Sequence, residues 1–165
     1  MSVALGRYFS ELDRITSPAT LDGGDVCEAG DHFFIGVSHR TNEEGAAQLS
    51  TWLEKRGFGS SLVDIRGLPG MLHHKTGVSW LGGRRILAWR GVSRHEAFRD
   101  WEVVEVPRGE EYAANCILVN DAVLIARGFP QTAALLRNLS YDVVEVDMSE
   151  YRKMDGGLSC LSLRW

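Results

Sequence analysis

The chain has 165 residues, of which 44% are hydrophobic and 24% charged, and its formal net charge is −4 at pH 7. These values predict one folded domain over residues 1–165 and argue against a disordered chain. The negative charge argues against nucleic acid or an anionic membrane as a partner. We find neither an apolar run of about 18 residues nor the apolar region of a signal peptide, so we expect a soluble, cytoplasmic protein.

In chain order, the predicted elements form the same ββαβ unit three times. Gly30-Asp31 marks the turn between the first two strands, and Gly57 ends the first helix. In each unit the order is strand, strand, helix and strand: 26–29, 32–38, 42–56 and 61–66 in the first, 77–81, 84–90, 93–100 and 101–106 in the second, and 115–119, 122–127, 131–139 and 141–146 in the third. Ahead of these units, the stretch Y-F-S-E-L-D-R-I at 8–15 is predicted to be a further helix.

The closing strands of the three units lie about 40 residues apart, which is a spacing typical of repeat proteins. One such unit cannot bury its own apolar face, so repeats pack in a ring or in a line. We therefore predict an α/β repeat fold with modules at about 20–66, 70–107 and 113–147. A closing loop and strand are predicted at 148–165. An open arc of three units would leave two sheet edges unpaired.

Three loops carry residue types that could do chemistry: T-L-D-G-G-D-V at 20–26, L-P-G-M-L-H-H-K at 68–75 and K-M-D-G-G-L-S-C at 153–160. Alone, each has an ordinary interpretation: a tight turn, solvated loop histidines and a buried thiol. Cys27 and Cys116 lie in apolar strands and are predicted to be core residues. Together the loops supply a carboxylate, an imidazole and a thiol, which is the set used in nucleophilic catalysis. A His/Cys/Asp metal site is the alternative, although the candidate ligands lack the close pairs typical of zinc sites.

These loops, inside ββαβ units, resemble the guanidine-modifying superfamily with the pentein fold, and within it the dimethylarginine dimethylaminohydrolases. The resemblance spans residues 19–160 and is carried by A-T-L-D-G-G-D-V, H-F-F-I-G-V-S-H-R-T-N-E-E-G-A, G-M-L-H-H-K-T, E-E-Y-A-A-N-C-I-L-V-N and S-E-Y-R-K-M-D-G-G-L-S-C. It implies a pentein-type propeller of which about three of five modules are present. The N-terminal part, which in the family supplies an acidic cluster for the substrate guanidinium, is expected to be lacking.

The resemblance also implies a role for each matching residue. Cys160 matches the nucleophile, His73 the general acid/base and Asp22 the carboxylate that supports the histidine. Arg40 matches an arginine that binds the substrate α-carboxylate, and Met154 a position whose carbonyl binds the substrate amino group. Asp25, Asn115 and Asp155 match motif positions that we interpret as supporting the loops.

The implied activity is hydrolysis of N-methylated L-arginine to citrulline and methylamine or dimethylamine, through a thiouronium intermediate on the cysteine, without a metal or organic cofactor. Lys75 stands where arginine deiminases of the superfamily have an aspartate, which favours a methylated substrate. A deiminase or amidinotransferase relative remains an alternative. A second alternative is a truncated, non-catalytic module that binds a ligand or a partner chain. A second copy of the chain is a candidate partner that would complete the open arc.

Overall fold

The computed structural model describes residues 2–162, which form nine strands and five α-helices. The strands are β1 (Val26–Ala29), β2 (His32–Val37), β3 (Gly59–Asp64), β4 (Val78–Trp80), β5 (Arg85–Ala88), β6 (Glu102–Glu105), β7 (Ile117–Val119), β8 (Ala122–Ala126) and β9 (Asp142–Val146). The helices are α1 (Ser2–Leu5), α2 (Glu43–Lys55), α3 (His74–Gly77), α4 (Pro130–Asn138) and α5 (Ser149–Arg152). None of the helices within residues 2–162 has the length and apolarity needed to cross a membrane.

The strands form three separate three-stranded sheets with the same topology. In each sheet the first two strands pair antiparallel and the middle strand pairs parallel with the third. The hairpins turn through residues with a positive φ, such as Gly30 (70°) and Asn120 (54°), residue types that tolerate this backbone region. The predicted α/β class is confirmed, and the strand pairing is that of the predicted ββαβ units. The α-helix predicted at 93–100 in the second unit is wrong, since the chain forms only a 3-10 helix there, Glu96–Phe98.

Local sequence explains the boundaries of the longest helix, α2. The Asn42 side chain accepts a hydrogen bond of 2.9 Å from Gly45 N, which is an N-cap of the kind that stabilises a helix by about 1 kcal/mol. Glu43 and Glu44 lie in the first turn, where carboxylates interact favourably with the helix dipole. After the last turn, Gly57 adopts a φ of 81°, which ends the helix.

Buried apolar clusters join the three sheets in series. The first cluster contains residues of β1, β2, β3, β4 and β5, and Phe98 and Trp101 contribute to it from the second unit. The second cluster lies between the β4–β6 and β7–β9 sheets and includes Ala133 and Leu136 of α4. Consecutive units therefore bury their apolar faces against each other, as expected for repeats.

One expectation for the start of the chain is wrong, and the closing strand predicted within 148–165 is only partly covered by the described residues. The stretch 8–15 has no helix, and only Ser2–Leu5 is helical near it. Its apolar side chains lack a surface to pack on, since Tyr8 is 82% exposed, and a short helix in water needs such packing. Between 148 and 162 the chain forms α5 and a 3-10 helix instead of a strand, and residues 163–165 lie outside the described residues.

Candidate active site

The predicted site residues lie at one end of the sheets. Asp22 precedes β1, Arg40 follows β2, His73 precedes β4, and Cys160 comes after β9. Because β1 runs antiparallel to β2, the first residue of β1 and the last residue of β2 lie at the same end of the sheet. The same holds for the corresponding strands of the other two sheets, so the repeated topology gathers loops that are far apart in sequence.

Asp22 is held as a side-chain cap at the start of a 3-10 helix that leads into β1. Its Oδ1 accepts a hydrogen bond of 2.8 Å from Gly24 N, and its own backbone N donates to Thr41 Oγ1 at 2.9 Å. The pKa of Asp22 is lowered, mainly by the Gly24 hydrogen bond and further by His73 and Arg40, while burial opposes the shift. The carboxylate is therefore ionised at neutral pH and faces the His73 ring and the Arg40 guanidinium.

His73 lies next to this carboxylate, with its Nδ1 3.7 Å from Asp22 Oδ1. That separation is beyond a direct hydrogen bond but close enough for attraction between charges. The ring approaches the backbone of Gly24 so closely that a Cβ there would lie 2.6 Å from Nδ1. The second glycine of the D-G-G-D motif, Gly24, must therefore be glycine for His73 to occupy this position.

Arg40 approaches Asp22 from the other side. Its Nη1 is 3.5 Å from Asp22 Oδ2, and 54% of its side chain is exposed. A partly exposed ion pair of this length contributes little to stability, so the guanidinium can turn towards another carboxylate at low cost. The structure thus brings Asp22, His73 and Arg40 together at one end of the sheets.

His74 is fully buried, in contrast to the solvated position predicted for the loop histidines. Its ring lies against Phe34 and Phe98, and both ring nitrogens lack a hydrogen-bond partner within the described residues. Burial lowers the pKa of His74 to about 3, because desolvation disfavours the charged ring. His74 therefore stays neutral. Of the two adjacent histidines, only His73 is accessible to solvent, with 16% of its side chain exposed.

Cys160 has an exposed side chain in the 3-10 helix Leu158–Leu161, whereas Cys27 and Cys116 are buried as predicted. Asn115 anchors this segment by accepting a hydrogen bond of 2.9 Å from Ser159 N. In the described part of the chain, no hydrogen bond joins Cys160 to His73.

Glycine allows this anchoring, since a Cβ at Gly157 would lie 2.3 Å from the Asn115 amide nitrogen. The carbonyl of Gly156 accepts a hydrogen bond from the Tyr112 hydroxyl. Met154 lies in the turn after α5, with its side chain 85% exposed. Sequence reasoning proposed only a supporting role for Asn115 and did not identify Tyr112, for which no sequence signal exists.

Two cavities adjoin the Cys160 segment. The larger has a volume of about 850 Å³, and its walls include Ser38, Leu72 and Gly157, from the loops that carry Arg40, His73 and Cys160. The smaller, about 250 Å³, lies among β1, β4 and β7 and reaches Ser159 and Ser162. Both cavities are therefore bordered by neighbours of the exposed thiol.

Metal binding finds no support in this arrangement. Among residues 2–162, no group of three or more histidine, cysteine, aspartate or glutamate side chains is placed to hold a metal ion. The carboxylate, imidazole and thiol are arranged as single groups on separate loops.

No protein-family model matches the chain. A dimethylarginine dimethylaminohydrolase of Pseudomonas aeruginosa is 46% identical over 158 residues, which cover 96% of this chain. The chain belongs to the dimethylarginine dimethylaminohydrolase family. It spans 61% of the length of that relative.

Solved structures of this family share the fold. A cysteine-to-serine mutant of the Pseudomonas aeruginosa dimethylarginine dimethylaminohydrolase, complexed with citrulline, has a TM-score of 0.90 and 43% identity, and the match covers 99% of this chain and 64% of that one. An amidinotransferase of Microseira wollei has a TM-score of 0.77 at 18% identity, covering 90% of this chain and 48% of its own, which shows a common fold alone. This chain therefore shares its fold with structural neighbours in the amidinotransferase/pentein superfamily.

Proposed function

We propose that this chain catalyses hydrolysis of N-methylated L-arginine to citrulline and methylamine or dimethylamine. The observation that carries the proposal is the juxtaposition of His73 with the ionised Asp22. The loops that carry His73 and the exposed Cys160 border a common cavity, which Leu72 and Gly157 line. The 46% identity to a dimethylarginine dimethylaminohydrolase, and the citrulline bound in the mutant structure of such an enzyme, support the substrate class.

In the proposed reaction, the Cys160 thiolate attacks the planar guanidinium carbon and forms a carbon–sulfur bond. His73 donates a proton to the departing dimethylamine, which leaves a thiouronium group on Cys160. Water then attacks this carbon while His73 accepts its proton. The tetrahedral adduct then breaks its carbon–sulfur bond and releases its hydroxyl proton to solvent, where the freed dimethylamine takes up a proton. This collapse gives the ureido group of citrulline and restores the thiolate. No external oxidant or reductant is consumed in either step.

The supporting residues act through charge and position. Asp22 stabilises the protonated form of His73 and orients the ring. Arg40 binds the substrate α-carboxylate, for which a guanidinium provides two parallel donors. The carbonyl of Met154 binds the substrate amino group. We assign no metal or organic cofactor, because the thiol and the imidazole supply the nucleophile and the proton transfer.

We further infer that the three sheets are consecutive modules of a pentein propeller, about three of its five, with the boundaries predicted from the sequence. The shared topology of the sheets and the buried clusters between them support this arrangement. A second copy of the chain that completes the arc, and a cytoplasmic location, remain predictions.

The test is citrulline release by the purified chain supplied with asymmetric dimethylarginine, with Cys160→Ser as the control. We expect release from the wild type and none from the variant. A folded chain that binds citrulline but releases none from dimethylarginine would favour the non-catalytic module. Equal citrulline release by Cys160→Ser and the wild type would contradict the assignment of Cys160 as the nucleophile.

A further inference from the structure

The wall of the site contains a buried carboxylate, Asp25, to which no catalytic step has been assigned. It is fully buried and accepts three hydrogen bonds. Its Oδ2 accepts from Ser38 Oγ and from Thr41 Oγ1, both at 2.7 Å, and its Oδ1 accepts from His74 N at 3.0 Å. These donors come from two loops, one after β2 and one before β4, so Asp25 links two different units of the fold.

The direction of each hydrogen bond in this network is fixed. Ser38 Oγ accepts from Arg40 N at 2.9 Å and from Thr41 N at 3.1 Å, which uses both of its lone pairs. Thr41 Oγ1 accepts from Asp22 N at 2.9 Å. The protons of the two hydroxyls therefore point at Asp25, whose side chain must accept every bond.

Through this network a single side chain reaches the backbone of two proposed site residues and of the residue next to a third. Ser38 connects it to Arg40, Thr41 connects it to Asp22, and the amide of His74 connects it to the residue directly after His73. The carboxylate itself is enclosed by these groups and has no surface from which to contact a substrate. A group in this position acts on geometry alone.

We propose that Asp25 is a positioning residue that sets the distance between the proton-transfer pair, Asp22 and His73, and the carboxylate-binding Arg40. This inference rests on the proposed function. The α-carboxylate and the guanidinium carbon of an arginine substrate are separated by a fixed number of bonds. An enzyme that binds one with Arg40 and attacks the other beside His73 must hold these two side chains at a matching distance.

Asparagine cannot replace Asp25 in this role, although it has the same shape. With Oδ1 still accepting from His74 N, the new NH₂ group would point at Ser38 Oγ, where no lone pair is free. With the amide turned over, its NH₂ would face His74 N, which is also a donor, so neither orientation satisfies both sides and both are weakened. Asp31→Asn is the matched control, because Asp31 is exposed in the β1–β2 turn.

A kinetic test separates the connection from Asp25 to Arg40, which runs through Ser38, from the connections to Asp22 and His74. Ser38→Ala removes the acceptor of the Arg40 and Thr41 amides but leaves the hydrogen bonds of Thr41 Oγ1 and His74 N to Asp25 in place. We therefore expect KM for dimethylarginine to rise about tenfold with kcat retained within about twofold. Asp25→Asn weakens the hydrogen bonds on both sides of the network, so we expect a similar rise in KM and a fall in kcat of about tenfold or more. With an N,N-dimethylguanidine that lacks the α-carboxylate, the Ser38→Ala effect should disappear and the kcat effect of Asp25→Asn should persist.

Amide hydrogen exchange measured by NMR tests the same network without turnover. In Asp25→Asn the amides of Arg40, Thr41 and His74 should all exchange at least about tenfold faster, whereas Ser38→Ala should affect only the first two. Unchanged exchange and kinetics in Asp25→Asn, or equal effects in Asp31→Asn, would overturn the proposal. Absence of citrulline release by the folded wild-type chain would refute the proposed function. The amide exchange rates of the two variants would still decide whether Asp25 links the loops.

Discussion

At the scale of single residues, two neighbouring histidines have different surroundings. The ring of His73 reaches the carboxylate of Asp22, while the ring of His74 is enclosed by Phe34 and Phe98. The sequence H-H-K places them side by side, and nothing in its spacing says which one is buried. The difference arises because α3 begins at His74, so that successive side chains project in different directions.

The first prediction separates the roles of the two histidines. His73→Gln should lower kcat by about 10²- to 10⁴-fold, because it removes the group that transfers protons. His74→Leu should retain kcat within about threefold, because a buried apolar side chain of similar size replaces a ring that makes no hydrogen bond. The measurement is steady-state citrulline release. Retained activity in His73→Gln would contradict the proposed acid/base.

The second prediction concerns the dependence of stability on pH. The pKa of His74 is about 3 in the folded protein and close to its ordinary value of 6.5 when unfolded. Between these values the unfolded chain binds a proton that the folded chain does not, so stability falls as pH falls, by up to about 1.4 kcal/mol per pH unit. Urea unfolding at several pH values should show a smaller loss below pH 6.5 in His74→Leu than in the wild type. Parallel curves would refute this assignment.

The third prediction uses the exposure of the three cysteines. Chloroacetamidine, an amidine reagent that resembles the guanidinium, should label Cys160 ahead of Cys27 and Cys116, which are 5% and 3% exposed. Peptide mapping after partial reaction would give the order. Equal labelling of all three thiols in the folded chain would contradict the special position of Cys160.

At the scale of elements, glycines determine how closely the loops approach one another. Gly24 permits the approach of His73, and Gly157 permits the contact with Asn115. The motifs D-G-G-D and D-G-G-L-S-C suggest tight turns, but the structure shows that these glycines chiefly make room for a side chain of another loop. A sequence records which residues are small, although it does not record what they are close to.

The fourth prediction compares the two glycines of D-G-G-D. Gly24→Ala places a Cβ 2.6 Å from His73 Nδ1 and should displace the ring, lowering kcat by about 10²-fold. Gly23→Ala is the matched control, since its Cβ would meet nothing within 4 Å, and it should retain activity. The measurement is kcat for both variants, with circular dichroism to establish folding. Equal loss of activity in the two variants would exclude the steric explanation.

At the scale of the whole molecule, the three units depend on contacts between their sheets. Ser79 of β4 donates to the carbonyl of Ala114 at 2.7 Å and accepts from Cys116 N at 3.1 Å, which ties the second unit to the third. This side chain is buried, so removal of its hydroxyl takes one buried hydrogen bond from each of the two backbone groups.

The fifth prediction follows from that connection. Ser79→Ala should lower the free energy of unfolding by about 1–3 kcal/mol, because buried backbone groups lose their partner. Ser10→Ala, at an exposed position in the N-terminal segment, should change it by less than about 0.5 kcal/mol. Urea denaturation of both variants is the measurement. An unchanged midpoint for Ser79→Ala would show that the units do not depend on this contact.

The sequence was a good guide to the repeated elements and a poorer guide to what surrounds them. Alternating β-branched segments and the turns at Gly30 and Asn120 predicted all nine strands to within a few residues, because these signals are local. The helix expected at 8–15 was wrong, since its stability depends on a packing surface that a local pattern cannot reveal. A supporting role was predicted for Asp25, but its partners were not, because its donors lie 13, 16 and 49 residues away.

The measurement that tests the central claim most directly is a search for the covalent intermediate. The chain would be mixed with asymmetric dimethylarginine, quenched with acid within one turnover and analysed by mass spectrometry of its peptides. Our account predicts an amidine adduct on the peptide that contains Cys160, and none in Cys160→Ser. Citrulline formation with no adduct at any quench time, or an adduct on Cys27 or Cys116, would contradict the assignment of Cys160 as the nucleophile.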